Sequence, residues 1–144
     1  MSTFDSLKRA LADTAALYSK THSFHWNITG PRFQELHAFF ETLYTTLWNE
    51  IDQIAEQIRI QGELAPRGYG EMVSSATITE ENTVPSADTM LNILTSDLEK
   101  LLVRLKAVVE SAREEENNTL EGFLLAIMEG HEKTLWMMKS MKSA

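Results

Sequence analysis

The 144-residue sequence contains no cysteine, which excludes disulfides, thiolate metal sites and cysteine nucleophiles; any metal must be held by histidines and carboxylates. Two i,i+4 pairs supply such groups, His37 with Glu41 and Asp52 with Glu56. That spacing puts both members of a pair on one face of a helix, where they can grip a common ion. Imidazole combined with carboxylate suits iron or zinc. His25 belongs with His37, since the two lie at similar chain distances on either side of Thr29-Gly30-Pro31. Gly30 can close one helix there and Pro31 open the next, making an antiparallel corner. Read singly, each residue has a plainer explanation: His25 as a satisfied core histidine on an apolar stripe, Asp52 and Glu56 as solvated charges. Their joint placement is the stronger observation.

Helix length then decides the architecture. His37 and Asp52 are fifteen residues apart on one continuous helix, about 22 Å along its axis, so they cannot share an ion within one chain. If two copies of the helix cross antiparallel on a two-fold axis near Tyr44 and Thr45, His37 of one lies opposite Asp52 of the other, and two equivalent intersubunit sites result. A di-iron site inside one bundle needs two E-x-x-H motifs. The nearest approaches are Gln34-Glu35-Leu36-His37 and Glu129-Gly130-His131.

The elements that position these groups read as helical throughout. Three prolines and six glycines punctuate the chain, and the stretches between them carry helical rather than alternating apolar spacing. A first stripe runs through Phe4, Leu7, Leu11, Tyr18 and His25; a second through Leu36, Phe40, Leu43, Leu47, Ile51, Ile54 and Ile58. Beside the second lies another stripe, His37, Glu41, Tyr44, Trp48, Asp52 and either Ala55 or Glu56, too aromatic at its centre to face water, which predicts self-association. From Gly62 to Pro85 the periodicity lapses into a connection too long for neighbouring antiparallel helices. Ser86 caps a third helix carrying Leu91, Leu94, Leu98, Leu101, Leu105 and Val108, and Asn118 with Glu121 resembles a capping box for a fourth. The expectation is an all-α fold: one domain over residues 1–144, a four-helix bundle with ferritin-like connectivity and one long crossover.

Other groups are weighed against these. His131 reads as a core histidine without a carboxylate in register, and His22, three before His25, could reach a second metal position. Trp26 and Trp48 read as packing residues with a secondary role as electron donors, and Met137, Met138 and Met141 as core filling. A net charge of −8 opposes tight binding to nucleic acid and favours attraction of cations. No basic leader and no spanning apolar run are visible, so the chain reads as soluble and cytoplasmic, with no membrane partner.

The run His25-Trp26-Asn27-Ile28-Thr29-Gly30-Pro31-Arg32-Phe33, then Leu36-His37 and Asp52-Gln53-Ile54-Ala55-Glu56, resembles the Dps family of mini-ferritins, as does His131-Glu132-Lys133-Thr134-Leu135-Trp136-Met137. The resemblance implies a hollow dodecamer of four-helix subunits, with a short helix in the Gly62 to Pro85 connection. It also implies a ferroxidase: His25 and His37 face Asp52 and Glu56 of the two-fold partner, ferrous iron is oxidised by hydrogen peroxide or dioxygen, and ferric mineral is stored inside. The family often has Asp where this chain has Glu41, whose longer side chain can still reach a metal as ligand or outer partner. Glu114, Glu115, Glu116, Glu121 and Glu129 are candidates for iron-entry pores or merely a solvated acidic turn. Family members that bind DNA commonly use a lysine-rich tail. Lys139 and Lys142, followed by Ser143-Ala144, are too few to offset the acidic charge, so DNA binding is expected to be weak or absent. Three functions stay open: an iron-oxidising storage enzyme, a DNA-compacting shell with incidental iron binding, and a metal-free structural oligomer.

Overall fold

The computed structural model describes residues 1–142; Ser143 and Ala144, counted above with the terminal lysines, lie outside the described residues. Among those residues there are five helices and no strand: α1 Thr3–Asn27, α2 Phe33–Ile60, α3 Tyr69–Val73, α4 Ala87–Glu114 and α5 Asn118–Met141. The four long helices form the ferritin-like bundle, and α3 is the short helix inside the crossover. α1 packs on α2 and α4, α4 packs on α5, and α3 lies on α1. The apolar stripes meet in a continuous core that includes Leu7, Leu11, Phe40, Leu47, Ile54, Leu98, Leu101 and Leu124. Each such side chain contributes about 1.5–3 kcal/mol relative to exposure.

Helix ends follow their local chemistry. The Ser2 hydroxyl accepts from the Asp5 N–H and the Ser86 hydroxyl from the Thr89 N–H, satisfying N–H groups that the first turns of α1 and α4 leave orphaned. The capping box at Asn118 and Glu121 is not formed. Asn117 caps α5, accepting from the Leu120 N–H, and Glu121 instead pairs with Arg113 across the α4–α5 turn. α1 ends at Asn27, so Pro31 sits within the turn rather than opening α2. Gly30 occupies that turn at φ +110°, a region that favours a residue without Cβ.

The crossover is anchored through one carboxylate. Asp13, fully buried on α1, accepts from the Thr77 N–H and hydroxyl, both at 2.7 Å, and from the Ile78 N–H at 3.0 Å; Arg104 of α4 stands 3.3 Å away. Lys20 and Asp97 make a second buried α1–α4 ion pair at 2.6 Å.

Candidate metal centre

The corner between α1 and α2 brings the predicted histidines together. The Ile28 N–H bonds the Phe24 carbonyl and closes α1, and the Phe33 N–H bonds the Gly30 carbonyl at 3.1 Å, so the chain reverses within a few residues. The rings of His25 and His37 then stack with centroids 3.8 Å apart and planes 14° from parallel. Each Nδ1 lies 2.7 Å from the other residue's backbone carbonyl. A carbonyl only accepts, so each Nδ1 carries the proton and donates it. Each Nε2 is thereby left with its lone pair for a ligand.

Glu41, one turn beyond His37, places Oε1 4.0 Å from Nε2 of His25. One ligand atom from each of His25, His37 and Glu41 lies within 4.8 Å of the others, and this is the only such group of three or more acidic, histidine or cysteine residues among the described ones. Ligands about 2.1 Å from a common ion stand roughly 3–3.5 Å apart. The exposed Glu41 side chain is free to make the small adjustment.

Aromatic rings enclose the inner side of the group. Tyr44 meets His25 edge-on at 5.1 Å. His22 is sandwiched between Trp26 at 4.0 Å and Tyr44 at 4.1 Å, its ring 6.2 Å from that of His25, and stands outside the three-residue group. Burial pushes the His22 pKa down, with the nearby His25 imidazole adding to it. Burial likewise pushes the Tyr18 phenol up, helped by Tyr44 and Tyr69.

Asp52 and Glu56 lie on the exposed surface of α2, away from this corner. Helix geometry puts them about 22 and 28 Å along the axis from His37. Between them and the corner, Tyr18, Tyr44, Thr45 and Trp48 line an open hollow of about 240 Å³. Trp26 and Trp48, read above as packing residues, are 64% and 60% exposed in the single chain. A second hollow of about 340 Å³, between α1 and the crossover, is lined by residues such as Lys20, Ser23, Tyr69 and Glu80 and contains none of the predicted site residues. Of the acidic residues considered for pores, Glu115 accepts from the Thr3 hydroxyl and Glu121 pairs with Arg113, while Glu114, Glu116 and Glu129 are exposed.

His131 does have a carboxylate partner, contrary to the sequence reading. Its Nε2 lies 2.6 Å from Oε1 of Glu50, and both residues are buried. Glu50 falls three residues after Leu47 and four before Ile54, on the apolar stripe of α2. A carboxylate in such a stripe is a signal that it has a buried partner.

Comparison with known proteins gives a consistent result. The ferritin-like domain family matches residues 4–143. DNA protection during starvation protein 2 of Bacillus anthracis is 34% identical over 134 residues, covering 93% of this chain and 92% of the relative. The crystal structure of a Dps protein from Bacillus brevis superimposes with a TM-score of 0.91 at 33% identity, covering 96% of this chain and 93% of that one. A Dps protein from Vibrio cholerae, described as a member of a broad superfamily of ferritin-like diiron-carboxylate proteins, matches with a TM-score of 0.91 at 28% identity over 96% and 87% of the two chains.

Proposed function

This chain belongs to the ferritin-like domain family, in its Dps mini-ferritin branch, and from that premise we propose that it is a ferroxidase that stores iron and protects against oxidative damage. The chain constitutes a single domain of this family and assembles with further copies into a hollow dodecamer. His25 and His37, with Glu41, bind ferrous iron together with Asp52 and Glu56 of a two-fold partner.

The observation that carries this reading is the reciprocal histidine pair. Both Nδ1 protons are committed to backbone carbonyls, which points two neutral Nε2 atoms at one position beside a carboxylate. Three protein ligands leave the coordination sphere open, and the exposed Asp52 and Glu56 have no place in it unless a second α2 crosses the first. The hollow at Tyr44 and Thr45, flanked by exposed Trp48, supports such a crossing. In the reaction, two ferrous ions each give one electron to hydrogen peroxide, whose O–O bond breaks. The ferric products hydrolyse into mineral and release protons. Dioxygen is the alternative oxidant. Pairing the electrons at one site limits escape of hydroxyl radical, and the acidic surface draws ferrous iron toward the shell.

Ferric absorbance after addition of ferrous salt and peroxide tests the activity. His37→Ala and Asp52→Ala are each expected to lower the initial rate at least tenfold; if both leave it intact, the assignment of the site is wrong. Mixed shells of the two variants are expected to recover partial activity, because one of the two sites in a mixed pair keeps every ligand. The relatives' name favours a second reading, protection of DNA by direct binding. A net charge of −8 per chain weighs against it. Retardation of duplex DNA by sub-micromolar shell at about 150 mM salt would restore that reading.

A further inference from the structure

The ring of His37 is held on both faces. His25 covers one at 3.8 Å, and Phe33, one turn earlier on α2, covers the other at 4.9 Å and 18° from parallel. Phe33, His37 and His25 thus form a single three-ring stack. The two histidines in it are not equally secured. His25 is buried and has the edge of Tyr44 against it. His37 is only half-buried, and Phe33 is what covers its outer face.

The placement of Phe33 follows from the turn before it. Gly30 at φ +110° lets its carbonyl accept from the Phe33 N–H, which puts Phe33 first in α2 and four residues before His37, on the same helix face. The flanking Arg32 makes no side-chain cap to the helix. Its guanidinium instead meets Glu35 at 2.6 Å and Asp88 at the start of α4 at 3.7 Å, which ties the turn down. The Phe33 ring is 40% exposed at the helix start, and its covered part includes the flat contact with His37.

We propose that Phe33 is a positioning residue for the metal centre: by stacking on His37 it keeps that ring parallel to His25 and its Nε2 beside the other two ligand groups. The inference rests on the reading of His37 as a ligand. If the ring is pre-set, the incoming ion does not bear the cost of ordering it, so the contribution appears in affinity rather than in turnover of bound iron. Outer contacts of this kind are worth about 10- to 100-fold in metal affinity; a stack without a hydrogen bond belongs at the lower end.

The test uses the assembled protein. Zinc binding is measured by calorimetry without oxidant, and initial ferrous oxidation rates are measured across iron concentrations. Phe33→Ala is expected to bind zinc about tenfold more weakly and to raise KM for iron by a similar factor while kcat is retained. Phe33→Tyr, which keeps the flat ring, should restore both, whereas Phe33→Leu, which keeps apolar volume without the ring, should resemble Phe33→Ala. Unchanged affinity in Phe33→Ala overturns the inference, and so does wild-type affinity in Phe33→Leu, since cover alone would then suffice. Should Phe33→Ala not assemble, the Tyr and Leu variants decide between the same outcomes. His37→Ala separates the two levels. If it retains wild-type zinc affinity, the ligand reading itself fails; if it loses affinity while Phe33→Ala does not, only the positioning role is lost.

Discussion

α2 places a histidine beside a carboxylate twice, and the two arrangements have opposite chemical character. At its start, His37 stacks on His25 near the exposed Glu41, with both Nδ1 atoms spent on carbonyls and both Nε2 atoms uncommitted. At its middle, Glu50 reaches across to His131 of α5, whose Nε2 is consumed at 2.6 Å inside the bundle. The same two residue types therefore make an open cluster with uncommitted donor atoms in one place and a sealed structural tie in the other. What separates them is which ring nitrogen is occupied, and by what. A carbonyl on Nδ1 prepares an imidazole to receive an ion, whereas a carboxylate on Nε2 in a dry interior leaves it nothing to bind.

Cross-wise substitution at the two places is the strongest way to break this contrast. His131→Ala is expected to cost about 3–5 kcal/mol of stability in chemical denaturation, because it leaves Glu50 buried without its partner. Assembled His131→Ala shells should nonetheless oxidise iron within about twofold of the wild-type rate. His25→Ala should lower the rate at least tenfold, and its cost in stability is that of removing one buried ring rather than of stranding a buried carboxylate, since the neighbouring Glu41 is exposed. If His131→Ala instead abolishes oxidation in intact shells, the sealed pair belongs to the reaction and the contrast fails.

A sharper version replaces the inner pair as a whole. Glu50→Leu combined with His131→Leu should recover most of the stability lost in His131→Ala, since apolar side chains can replace both partners of a buried hydrogen-bonded pair at little cost. A double variant no more stable than the single one would mean that the pair organises the bundle in a way apolar packing cannot.

The smallest effect concerns pH. The pKa of His22 is pushed down in the folded chain, so below about pH 6.5 the unfolded chain binds more protons there. Stability should therefore fall as pH drops through that window. His22→Phe, which keeps a ring between Trp26 and Tyr44, should flatten this part of the denaturation profile. An unchanged profile would assign the dependence to other groups.

The elements were legible because helical spacing and the two breaks at Gly30 and Gly62 are local properties. The proximity of His25 and His37 was equally legible, since a tight corner equates chain distance with height along the two helices. The partner of His131 was not: Glu50 lies 81 residues away, across a crossover whose length leaves the register of α5 against α2 undetermined. Asp13 escaped notice for a related reason. As a residue type aspartate is expected outside, and only the folded crossover, bringing Thr77 and Ile78 onto it, shows that it holds a loop in place. Trp26 and Trp48 pack on His22 and Tyr18 yet stay largely exposed, and a single chain does not show what covers the rest of them. Asn117 displaced Asn118 as a cap through a shift of one residue, within the ordinary uncertainty of a helix end.

The length of α2 has one more consequence. Its 28 residues keep His37 and Asp52 apart however the side chains turn. Under the proposed shared site, a newly made chain therefore holds half of a reactive centre and can finish none. Iron chemistry is withheld until copies have met, when a shell is at hand to receive the product. Assembly then acts as a safety catch, and the rigid helix between the half-sites is the part that sets it.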